Sequence, residues 1–267
     1  MKRIIFPVCL CGSMCFAQDH PQQPKIEPMP MAHPPAAVVI TEVLFRVPRG
    51  DAGDAGMDGK RQATGDEFVE IANLSDKPVQ LKGYRLIDSN CYATLTEKGK
   101  KPLKPADIRA DGKSAAFVFP ELELKPGQVA VVFNGFEGMP KGPVGKPDKA
   151  AEPNENFGGA FVFALRPEDK YAGFGDKGDW VMLISGEGEL LEAISWGAPE
   201  TPAPATSGRT REAPAEPAGS ITRTSRMRGF KDHAEVSGGA LFSPGVFTPR
   251  SPGGESVTNV PKKPDQK

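Results

Sequence analysis

Cysteine is almost missing from this chain once its first residues are set aside: Cys9, Cys11 and Cys15 lie at the start, and only Cys91 follows. A single remaining thiol cannot close an internal disulfide, and such a residue reads as a small buried apolar group before it reads as a nucleophile. Histidine is as scarce, with His20, His33 and His233 only. Neither the clustered nitrogen and sulfur ligands of a zinc site nor a nucleophile elbow is present, which argues against both chemistries. No charge dominates: 33 basic side chains face 34 acidic ones, so global attraction to nucleic acid or to an anionic surface is excluded. After the first residues there is also no apolar run near the ~20 residues that a membrane span needs. What the chain has in quantity is 30 glycines and 28 prolines, a composition that favours turns and short strands over long helices.

Residues 1–17, "MKRIIFPVCLCGSMCFA", carry Lys2 and Arg3, an apolar run from Ile4 to Phe16, and Ala17 as a small residue suited to a cut. They read as a signal peptide, so the mature protein is expected to be exported, whether secreted, periplasmic or at the cell surface. Residues 18–36 form a proline-rich spacer, because each proline removes a donor and restricts its predecessor. His20 and His33 lie there. Order is expected from residue 37 to residue 248, with a disordered tail at 249–267. Two segments, 141–156 and 198–219, combine proline, alanine and charge with too little apolar surface to offset ordering entropy, and are read as unstructured insertions.

Between them the apolar pattern is that of strands. "AVVITEVLFRV" is rich in β-branched and aromatic residues and has no breaker. In "EFVEIAN", Val69 and Ile71 face one way and Glu70 the other, the period of a strand with one dry face. "SDKP" is a turn signal before "VQLKGYRLID", where Gly83 suggests a bend between two short strands. "PELELKPG" separates "AAFVF" from "QVAVVF", and Pro126 with Gly127 suits a type II turn. "GDWVMLIS" and "GELLEAISW" around Glu187 form the clearest hairpin. About seven strands, no helix of normal length and no internal repeat point to one all-β sandwich domain.

These pieces, in this order, resemble the lamin-tail domain family. "VVITEVLF" is similar to its first strand, "GDEFVEIANLSDKPVQLKGYRLID" to its central motif, "LELKPGQVAVVF" to its proline-glycine turn, and "GDWVMLISGEGELLEAISWG" to its closing hairpin. "SITRTSRMRGF" and "FSPGVF" are similar to its last segment. The resemblance implies an immunoglobulin-like β-sandwich and a binding or scaffolding role without a catalytic site or cofactor, its partner a protein or glycan at the cell surface or envelope.

The loop "GDAGDAGMDGKRQATGDEFVEI" is the one stretch that suggests ion chemistry. In exported members of the family, the equivalent loop looks like a calcium loop with oxygen ligands at its first, third and fifth positions and glycine at its sixth. Here Asp54 is first, Asp58 fifth and Gly59 sixth, but Gly56 and Gly65 stand at the third and twelfth positions. Asp51, Asp66 and Glu67 are the further carboxylates that could complete a loose site for calcium, one in the millimolar class of extracellular modules. An extracellular hydrolase, or an accessory domain to one, using these acids is the alternative. Against it, Glu67 and Glu70 lie three apart on a strand and face opposite ways, which spoils a glycosidase pair. A third reading is nucleic-acid binding through Arg209, Arg211, Arg223, Arg226, Arg228 and Lys231. That cluster is diluted by Glu212, Glu216, Asp232 and Glu235 and reads as a solvated loop. His233 is expected at the surface.

Overall fold

Three stretches of β-branched and aromatic residues form the spine of one sheet: β1 (Val38–Leu44), β2 (Phe68–Asn73) and β7 (Val129–Phe133) pair antiparallel through residues that are buried throughout. The computed structural model describes residues 36–92, 114–167, 172–200, 210–225 and 229–247. The signal peptide, nearly all of the spacer and the tail therefore lie outside the described residues. Within these, the short strands are β3 (Val79–Gln80), β4 (Arg85–Asp88), β5 (Phe117–Val118), β6 (Glu123–Leu124) and β8 (Pro153–Asn154). The remaining strands are β9 (Ala160–Ala164), β10 (Gly178–Ile184), β11 (Leu190–Gly197), β12 (Thr210–Ala213), β13 (Ile221–Arg223) and β14 (Phe230–Asp232). A seven-stranded sheet runs β14-β13-β1-β2-β7-β9-β8, a five-stranded sheet runs β12-β11-β10-β4-β5, and β3 pairs with β6. This is the all-β, immunoglobulin-like sandwich expected above.

Alternation along the strands builds the core between the two large sheets. Val69, Ile71, Ala130 and Val132 of one sheet meet Leu86, Val181, Leu183, Ile194 and Trp196 of the other. Trp196 stacks on Phe45 with ring centroids 4.2 Å apart, and its Nε1–H donates to Gly175 O at 2.9 Å, so a large ring is buried without an orphaned donor. Each such side chain contributes roughly 1.5–3 kcal/mol by leaving water. β1 carries a bulge between Ile40 and Glu42. That extra residue is why Ile40 and then Val43 both point between the sheets despite their odd spacing.

Local turn chemistry matches the sequence. Gly127 has φ of 76° and Gln128 N–H donates to Lys125 O at 3.0 Å, as a type II turn at Pro126–Gly127 requires. That turn leads from β6 to β7, while β5 belongs to the other large sheet, so "PELELKPG" is a corner between sheets. The chain bends at Gly83 between β3 and β4, and β10 with β11 forms the hairpin around Glu187.

Four expectations are corrected. β2 has no wet face: Glu70 is fully buried, because a second apolar layer covers the outer side of the seven-stranded sheet. Phe68, Val131 and Phe133 pack there with Ala55 and Phe157, and Phe242 and Phe247 lean against them. The segment 141–156, expected to be unstructured, supplies β8 and a bridge between Gly145 and Phe163. Buried Asn154 holds it, its Nδ2 donating to Lys141 O at 2.8 Å and Pro143 O at 2.9 Å. From the segment 198–219, β12 joins β11 in parallel as an edge strand. Fourteen strands occur among the described residues where about seven were expected, since several are two-residue ladders too short to leave a period in the sequence.

Candidate functional site

The acidic loop between β1 and β2 is ordered by its own carboxylates. Asp51 opens a 3-10 turn, Asp51–Gly53. The Asp54 oxygens accept from Asp58 N–H at 3.1 Å and Gly59 N–H at 2.8 Å. Asp58 accepts from Lys60 N–H at 2.9 Å and from Gln62 Nε2 at 3.3 Å. Asp66 is buried and accepts from Gly56 N–H at 2.7 Å and Gln62 N–H at 2.6 Å. Gly56, the third position where a calcium ligand is missing, is thus spent on Asp66. A Cβ there would stand 3.2 Å from Asp66 Oδ1, so the loop is packed around the absence of that ligand.

Glu67 turns away from the loop. It is buried between the sheets, and its Oε2 accepts from Phe174 N–H at 3.0 Å. Among the described residues no three His, Cys, Asp or Glu side chains are grouped so as to hold a metal ion. Asp54, Asp58 and Asp66 direct their oxygens at backbone amides, and Glu67 lies apart. The donor set does not fit calcium, which takes six to eight converging oxygens.

The same use of carboxylates recurs through the domain. Seven Asp and Glu residues are buried among the described residues: Glu42, Asp66, Glu67, Glu70, Asp88, Asp179 and Glu192. Every one accepts from a main-chain N–H. Asp88 takes Cys91 N–H at 2.7 Å and Ala115 N–H at 2.8 Å, while Asp179 takes Gly175 N–H at 3.0 Å and Trp180 N–H at 2.7 Å. Glu192 takes Ile40 N–H at 3.2 Å. Loops whose amides lack a strand partner are satisfied by a side chain inside the core, as buried donors require. Burial is the first cause in each case of a raised pKa, to about 6 for Asp66, about 7 for Asp88, and well above the usual carboxylate range for Glu67.

Glu42 and Glu70 are the pair that sequence reading missed as a unit. They are cross-strand partners on β1 and β2, on the outer side of the seven-stranded sheet. Together they hold a strap, residues 243–247. Glu42 accepts from Ser243 N–H at 2.9 Å and Ser220 Oγ–H at 2.6 Å. Glu70 accepts from Gly245 N–H at 2.7 Å and Thr41 Oγ–H at 2.6 Å. Burial, then the neighbouring Glu42 charge, pushes Glu70 up to about 8. Burial also raises Glu42, against the pull of His233. The signal was an acid at Glu42 inside an apolar run, "VVITEVLF".

His233, expected at the surface, is buried with its Nδ1 3.5 Å from Glu42 Oε1 and without a hydrogen-bond partner. It begins a short helix, His233–Ser237, whose N-cap Asp232 accepts from Ala234 N–H. Cys91 is buried elsewhere, with Ile87, Trp180 and Met182 on the outer side of the five-stranded sheet. The arginine segment is also not a solvated loop throughout. Arg223 is buried, stacks 5.0 Å over Phe230 and pairs with Glu192, which Arg211 also reaches at 2.8 Å. Lys231 is exposed; Arg209, Arg226 and Arg228 lie outside the described residues.

The family model of the lamin tail domain matches residues 32–198. No curated protein matches. Among solved structures, the chain is similar to a DUF4876 family protein from Bacteroides thetaiotaomicron, with 14% identity over 84% of this chain and 75% of that one and a TM-score of 0.38.

Proposed function

The chain belongs to the lamin tail domain family, and we propose from that premise that it is a non-catalytic, exported module that binds or scaffolds a protein or glycan at the cell surface or envelope. The observation that carries this reading is the commitment of all seven buried carboxylates to main-chain amides of the domain itself, some a few residues away and others more than a hundred. A general acid or base must reach a substrate proton, and two carboxyls must flank a scissile bond across about 5–10 Å of open space. Here the acids are structural fasteners. The acidic-loop hydrolase loses its donors to the same accounting, because Asp54, Asp58 and Asp66 hold the loop itself. Export is supported by Lys2, Arg3 and the apolar run that follows them. Among the described residues no helix is long and apolar enough to cross a membrane.

The test is retention and turnover measured together. The mature chain, immobilised, is exposed to an envelope and medium extract of the producing cells, and the same chain is incubated with glycan and phosphoester substrates. A component that is retained, competed off by soluble chain and recovered unaltered is the expected result. Hydrolysis that disappears in Glu67→Gln would overturn the proposal.

A further inference from the structure

We infer that a cavity beside His233 is a binding site for one neutral sugar residue; this rests on the binding-module reading and names a ligand and a place for it. The cavity measures about 310 Å³ and lies among β13, the helix His233–Ser237 and the strap 243–247. That volume is at the small end of ligand pockets, which run from about 300 to 1,000 Å³. The class of ligand follows from what its walls have left to offer.

Four hydroxyls line it, and each has already given its proton to the protein. Thr222 Oγ donates to Thr41 O at 3.4 Å and Thr224 Oγ to Gly229 O at 3.4 Å. Ser237 Oγ donates to Ala240 O at 2.9 Å and Ser243 Oγ to Glu42 Oε2 at 3.0 Å. Their lone pairs remain, so the cavity presents acceptors and a ligand must bring donors. A fully deprotonated anion brings none, and among the described residues no free cation waits for it in the lining.

The one cation in the lining, Arg223, is spent on Ile40 O and Glu192. No Asp or Glu lines the cavity among the described residues, so an ammonium group finds no counter-charge there. His233 adds an imidazole that is 6% exposed and whose Nδ1 makes no hydrogen bond. Val236, Val246 and Phe247 form the apolar side, and Val246 is 52% exposed. Donor-rich, uncharged and apolar on one face describes a pyranose ring, whose hydroxyls donate from the edge while its C–H groups pack against aliphatic and aromatic carbon.

The experiment follows the His233 imidazole by NMR, assigned with His233→Gln, in the full mature chain. D-glucose, D-galactose, D-mannose and N-acetyl-D-glucosamine are titrated to about 100 mM, since single-site recognition of this size falls near the millimolar range. Inorganic phosphate and methylammonium serve as the charged probes. Expected is a saturable shift with at least one sugar and none with the charged probes. Thr224→Val, which keeps the shape and loses the lone pairs, should weaken that sugar about fivefold to tenfold with an unchanged melting temperature. A flat response to all four sugars, a saturable response to a charged probe, or undiminished binding by Thr224→Val overturns the inference. Envelope capture that survives Thr224→Val places the partner elsewhere and leaves the binding-module reading standing, whereas turnover of a substrate defeats that reading itself.

Discussion

Glu70→Gln isolates the physics of the buried acid pair. Glu70 is fully buried opposite Glu42 on β1, with Thr41 and Gly245 as its donors and His233 beside Glu42. Its pKa of about 8 stands above the ordinary 4.5 chiefly because burial penalises the charge. Between those two pH values the folded chain keeps a proton that the unfolded chain has released. Stability is therefore fully present below pH 4.5 and falls as pH rises toward 8. One proton corresponds to about 1.4 kcal/mol per pH unit, so ionising the unfolded carboxyl costs on the order of 3 kcal/mol of stability by neutral pH.

Glutamine copies the neutral acid. Its carbonyl can accept from Gly245 N–H while its amide donates to the Thr41 hydroxyl oxygen. Urea unfolding at pH 5 and pH 8, read by the buried Trp180 and Trp196, measures the result. Wild type should be less stable at pH 8 than at pH 5. The variant should lose up to one proton's share of that slope and exceed wild type at pH 8 by about 1–3 kcal/mol. Some slope remains, because Glu42, Asp66, Glu67, Asp88 and Asp179 shift in the same direction. A variant less stable than wild type at pH 8, or one with an unaltered slope, would refute the reasoning.

Glu192→Ala leaves the buried Arg223 guanidinium without its carboxylate and should cost about 3–5 kcal/mol in urea unfolding, with part regained in Glu192→Ala/Arg223→Met. Trp196→Phe removes the donor to Gly175 O and part of the stack on Phe45, for about 1–3 kcal/mol, whereas Trp196→Ala should cost about 3–5 kcal/mol. Asp66→Ala should speed hydrogen exchange at the Gly56 and Gln62 amides and lower stability by about 1–3 kcal/mol, since both amides lose their acceptor. Melting temperatures of wild type in millimolar calcium and in chelator should coincide; a clear rise with calcium would show that the loop gathers ligands after all.

The strands that carry the fold were legible because each is an apolar run, rich in β-branched or large side chains and free of breakers, as in β7 and β10. The turn at Pro126–Gly127 and the hairpin around Glu187 were legible because few residues tolerate those backbone angles. The candidate site was less so. The carboxylates from Asp51 to Glu67 were visible as a group, but residue type alone does not say whether an oxygen faces an ion or an amide. His233 and Arg223 read as solvated since their neighbours are charged, and Glu70 since it alternates with Val69 and Ile71.

Composition and period therefore determined the class of fold and the location of its turns, because these depend on contacts within a few residues of one another; the lamin-tail identity rested on the resemblance of whole segments taken in order. Tertiary structure decided which polar groups are inside. Glu70 is dry only because a strap some 175 positions away crosses the outer face of its sheet. Segment 141–156 is ordered because β8 and Gly145 join β9 and Asn154 finds the carbonyls of Lys141 and Pro143. The acidic loop is an architectural clasp because Gly56 N–H meets Asp66, and a hydrogen bond across a folded loop leaves no trace in the spacing of the residues that make it.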